Sequence, residues 1–117
     1  MVQLAGVQVH VSDTPLGGES DAVQMIVDAH YAHQAEWIAF TPDQLGDEFF
    51  ELQSGLAGAI TQKFVMYQMG LAVVGDISGR VAASKPLADW VRESNRGSNL
   101  LFAKDLDELG ERLQDRQ

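Results

Sequence analysis

The sequence predicts an α/β fold, a four- or five-stranded, mostly parallel sheet with about four helices. Two observations carry this reading. Short apolar or alternating runs of strand character occur at 7–11, 37–40, 71–74 and 100–102, and stretches with helical spacing lie between them. Strands joined through helices run parallel, with right-handed crossovers.

Val7, Val9 and Val11 alternate with Gln8, His10 and Ser12, the period-two pattern of a strand with one buried face. Leu4 and the Ala5-Gly6 pair suit a short preceding strand and its turn. Ser12 to Ser20 is polar and glycine-rich, a loop. From Asp21 to about Gln34, Ala22, Val23, Met25, Ile26 and Ala29 share one broad arc, as in an amphipathic helix. Trp37-Ile38-Ala39-Phe40 is rich in strand formers, and Thr41-Pro42-Asp43 ends that strand. Residues 44–53 admit a helical turn or two through Leu45, Phe49 and Leu52.

Ser54 is expected to cap a helix running to about Met69, with Leu56, Ile60, Phe64 and Tyr67 as its apolar stripe. Gly70 is expected to close it. Leu71 to Val74 reads as a buried strand ending at Gly75-Asp76. Ser78 to Ala83 reads as a flexible stretch. Ser84 and Pro86 then open a helix, with Leu87, Trp90 and Val91 inward and Gly97 as its stop. Leu100-Leu101-Phe102 is the last strand. Asp105 and Glu108 have capping-box spacing before a final helix through Leu106, Leu109 and Leu113.

The chain has 117 residues, of ordinary single-domain length, and no linker or repeat divides it. It has no apolar run near the ~20 residues of a bilayer span, and its start lacks the basic segment of a signal peptide. The expectation is a soluble, cytoplasmic chain. With no cysteine, disulfides and thiolate chemistry are excluded. The net charge is -9, and all eight Lys and Arg lie from Lys63 onward. Phosphate backbones and anionic lipid need cationic side chains, so neither nucleic acid nor a membrane is expected as a partner.

Phe49-Phe50-Glu51-Leu52-Gln53-Ser54-Gly55-Leu56-Ala57-Gly58 resembles a family defined only as domain-of-unknown-function family 4180. Gln62-Lys63-Phe64 with Tyr67, Leu71 to Asp76, and Glu93-Ser94-Asn95-Arg96-Gly97 continue the resemblance, which spans about Gly6 to Leu113. The family implies no activity. Ser54-Gly55-Leu56, opening a helix that leads to a short strand, is also similar to the switch segment of STAS (anti-sigma-factor-antagonist-like) domains. That similarity implies a STAS-like fold and a serine whose phosphorylation controls a protein partner. Gln53 stands where that group usually carries an acid.

Six residues are candidates for binding or regulation, and none for catalysis. Ser54 and Gly55 sit at a helix start suited to a small anion or phosphate; the alternative is a plain N-cap. Asp76 and Arg80 lie on a loop beyond the carboxyl end of a strand, where parallel sheets bind ligands. Glu93 and Asn95 either terminate a helix or contact a ligand or partner; Asn95, turned inward, needs a polar partner.

His30 and His33 are expected inside the apolar arc, where they would share a metal only with a third ligand such as Glu36. No HExxH-type motif is present, so no metal or cofactor is expected. Gly58, Thr61, Val65 and Met69 form a second stripe, either a homodimer face or packed under 44–53. No GxGxxG, Walker lysine or GxSxG appears. The leading expectation is a non-catalytic regulatory or protein-interaction module recognised through Ser54 and the acidic 43–51 segment. The alternative is a small-molecule-binding domain or minor enzyme using the strand-end cleft, with Asp76, Arg80 and Asn95 as polar groups. Exposed Phe49 or Phe50 would accompany the first, a deep closed pocket the second.

Overall fold

The computed structural model of the chain describes residues 2–115. Five strands form one sheet in the order of the sequence: β1 (Val2–Leu4), β2 (Val7–Val11), β3 (Trp37–Phe40), β4 (Gly70–Val74) and β5 (Leu100–Ala103). β1 pairs antiparallel with β2 through the Ala5-Gly6 turn, and the other three pairings are parallel. Helix α1 (Glu19–His33) joins β2 to β3. α2 (Pro42–Leu45), α3 (Asp47–Phe50), a 3-10 turn (Leu52–Ser54) and α4 (Leu56–Met66) join β3 to β4. α5 (Ser78–Ala83) and α6 (Lys85–Arg96) join β4 to β5, and α7 (Leu106–Gln114) follows.

Each parallel crossover advances by one strand in the same direction. A common right hand therefore stacks all three on one face. The strand side chains divide accordingly. Ile38, Phe40, Leu71, Val73, Leu100 and Phe102 pack with Ile26 of α1, Ile60 and Phe64 of α4 and Leu87 of α6. The opposite face carries smaller residues, Ala39, Ala72 and Ala103, with Val9, Trp37 and Leu101. One helix covers it: α7 lays Leu109 and Leu113 there and reaches β1, β4 and β5.

Several sequence-based expectations are corrected. The described residues hold seven α-helices rather than about four, because the 42–54 connection is built of separate short turns and 78–83 is helical, not flexible. Thr41 does end β3, but as the N-cap of α2 in a capping box with Gln44. Ser54 is not the N-cap of α4. Gly55 is, in a left-handed conformation (φ 82°), and Ser54 closes the 3-10 turn before it.

α4 also ends at Met66, earlier than expected, where Gln68 takes the left-handed turn (φ 57°). Gly70 is therefore a strand residue. It pairs with Trp37 across β3–β4, and a methyl group there would fall inside the indole ring. The second stripe of α4 is broken: Gly58 and Val65 are exposed, Thr61 is half-buried, and Met69 is buried beyond the helix end. Phe49 and Phe50 are both buried, at 0% and 6% exposure, so the exposed phenylalanine expected of a recognition surface is absent.

Ser84 and Asp105 do cap α6 and α7, accepting from the Leu87 and Glu108 amides. Glu108 reaches back to the Lys104 amide, at 2.8 Å, rather than to that of Asp105.

Candidate functional site

The carboxyl ends of β2, β3, β4 and β5 all open on one edge of the sheet, and the loops that leave it carry most of the sequence-predicted residues. Gln44 fixes the first. Its Nε2 donates to the Ser12 carbonyl at 2.9 Å while its Oε1 accepts from the Thr41 amide at 2.9 Å. That ties the start of the 42–54 connection to the end of β2. The segment then turns three times and delivers Ser54 and Gly55 to the surface.

Ser54 is exposed. Its hydroxyl donates to the Glu48 carbonyl at 3.0 Å and accepts from the Leu56 amide at 3.2 Å. The oxygen thus meets one of the free amides of an 11-residue helix, where partial positive charge concentrates. Gly55 places no side chain there, and its added Cβ would meet nothing.

The second loop centres on Asp76. Its Oδ1 accepts from the Ser78 amide at 2.9 Å. Hydrogen bonds from the Ser78 hydroxyl first, then from its amide, hold the carboxyl below the usual carboxylate range. Asp76 and Asn95 line one open cavity of about 270 Å³, together with Ser78, Lys104, Glu108 and Arg112. Asn95 is largely committed: its Oδ1 accepts from the Phe102 amide at 2.8 Å. β5 is an edge strand, so this side chain satisfies a donor that no neighbouring strand can meet.

Arg80 does not join that cavity. Its guanidinium lies 2.8 Å from Asp47 and 4.5 Å above the Phe50 ring, bracing α5 against α3. Glu93 stands apart on α6, 3.8 Å from Arg96. The six candidates therefore fall into four places: Ser54 with Gly55, Asp76 with Asn95, Arg80 alone, and Glu93 alone.

Lys104, Glu108 and Arg112 are cavity residues that sequence reasoning missed. Their available signal was the i, i+4 spacing of Glu108 and Arg112 on one helix face, whose charged groups stand 3.9 Å apart.

The histidines are also corrected. His30 and His33 are exposed rather than buried in the arc. His33 stacks on His10 of β2, with ring centroids 4.5 Å apart and planes within 10°. Among the described residues no group of three or more His, Cys, Asp or Glu is placed to hold a metal ion, and no helix is long and apolar enough to cross a membrane.

Fold and site define a small α/β protein with one mostly parallel sheet and polar loops along its carboxyl edge. Residues 3–113 match the model of the family described as Domain of unknown function (DUF4180), and the chain belongs to that family. No curated protein and no solved structure matches it.

Proposed function

We propose that the chain is a non-catalytic regulatory or protein-interaction module of STAS-like type, with the Ser54-Gly55 start of α4 as its recognition point. The observation that carries the reading is the placement of Ser54. It is exposed, lies between β3 and β4, and already accepts from the first free amide of α4.

Phosphorylation there would have two opposed local effects. The phosphate oxygens keep the acceptor role at the helix start, where negative charge is favoured. The hydroxyl proton is lost, so the bond to the Glu48 carbonyl breaks, and the new charge joins a connection that already carries Asp47, Glu48 and Glu51. The connection then shifts away from α4 while α4 itself stays capped, which alters the surface a partner meets.

The small-molecule alternative at the Asp76–Asn95 cavity has less behind it. Its volume of about 270 Å³ is below the usual range of ~300–1,000 Å³, and its principal polar groups already bond backbone. Phosphopeptide mapping of the protein isolated from its native host tests the switch. A Ser54-phosphorylated fraction that varies with growth condition is expected. Ser54 unmodified under every condition contradicts it.

A further inference from the structure

A second cavity lies at the opposite edge of the sheet. It holds about 730 Å³ between the ends of α1 and α4 and the starts of β3 and β4, within the size range of small-molecule sites. We propose that it binds an organic cation, an ammonium or guanidinium group, carried by a small amine or by a basic side chain of a peptide.

Three independent features favour positive charge there. First, α1 and α4 both terminate at the cavity, followed by Gln34 and Gln68 in left-handed conformations. Capping amides occupy the Ala29, His30, Lys63, Phe64 and Val65 carbonyls, and the helix ends carry partial negative charge. Second, Tyr31 and Tyr67 line the space and are 79% and 49% exposed. Exposed aromatic faces attract cations. Third, Glu36 also lines it; one carboxylate oxygen accepts from the Gln8 amide at 3.1 Å, and the other has no partner among the described residues.

No Lys or Arg lines the cavity. Lys63, on α4, is drawn 3.8 Å from Glu19 at the far end of α1, and Arg96 is 3.8 Å from Glu93. The carboxyl-edge cavity, by contrast, contains Lys104 and Arg112. There they are balanced by Asp76 and Glu108, whereas Glu36 at the amino edge faces no Lys or Arg of the lining.

The test is an NMR titration of the full chain at pH 8 with agmatine, with the peptide acetyl-Gly-Arg-Gly-amide, and with neutral butylurea. Saturable shifts confined to the Tyr31, Gln34, Tyr67, Gln68 and Gly70 amides are expected for agmatine, for the peptide, or for both. Agmatine alone identifies a small amine as the source; the peptide alone identifies a partner's side chain. Glu36→Gln, which keeps an acceptor for Gln8, and Tyr67→Leu should each weaken binding at least threefold. Glu111→Gln, an exposed acid on α7, should leave it unchanged. Butylurea binding as well as agmatine, non-saturating shifts spread over 43–51, or full affinity in Glu36→Gln and Tyr67→Leu would overturn the proposal.

Discussion

Gly70 faces Trp37 across the β3–β4 pair, and the indole lies where its side chain would be. Gly70→Ala therefore forces a buried ring or a central strand to move. Overpacking of this kind costs about 1–3 kcal/mol, and urea unfolding should show a loss near the top of that range. Wild-type stability in the variant would mean that the ring does not occupy this space.

His10 gives a pH-dependent counterpart. Its Nδ1 is shielded and without a hydrogen-bond partner. Desolvation first, then the stacked His33, lower its pKa from 6.5. The folded state then binds fewer protons than the unfolded state. This contribution to stability is full above about pH 6.5 and is lost as pH falls through the lower folded value. Urea midpoints should decline from pH 7.5 to 5, and His10→Gln should flatten the decline. An identical slope in His10→Gln would contradict the assignment.

At the scale of elements, the ends of helices were harder to read than their existence. α4 was visible from its stripe, yet both its caps were misplaced. Gln68, not a glycine, supplies the left-handed turn, and the cap at the other end is a glycine one residue past the serine. The 42–54 connection resisted reading because Phe49 and Phe50 are adjacent and both buried, which no single helical stripe encodes. Their burial depends on two surfaces that meet only in the fold. α5 was missed because Gly79 and a short span leave no periodic signal.

Asn95 shows the same limit at the site. Its need for a partner was legible, but the Phe102 amide becomes that partner only when α6 packs on β5. Asn95→Ala leaves this amide unmet and should cost about 1–2 kcal/mol. Hydrogen exchange at Phe102 should quicken relative to Leu71 in the interior strand β4. Unchanged exchange would mean that Asn95 does not protect the edge.

At the scale of the molecule, the alternation of strand and helix fixes most of the architecture. With sequential strand order and one crossover hand, three connections must share a face, and α7 is left for the other. This was legible because β3, β4 and β5 are continuous apolar runs of four or five residues and β2 alternates with period two. The site was less so. Sequence singled out six residues, and the fold distributes them among four places along the carboxyl edge and on α6, while the larger cavity at the amino edge arises from helix ends that no local pattern marks.

The acidic bias also acquires a location. No Lys or Arg lines the cavity at the ends of α1 and α4, while Lys104 and Arg112 line the carboxyl-edge cavity beside Asp76 and Glu108. The proposed recognition point is Ser54, at the carboxyl edge.

Its most direct test is quantitative affinity capture from the native host with three forms of the full chain: wild type, Ser54→Asp, and Ser20→Asp as an equal charge on an exposed residue at the start of α1. A protein retained by wild type and Ser20→Asp and depleted at least tenfold by Ser54→Asp is expected. Equal retention by all three, or equal loss from both variants, would contradict it.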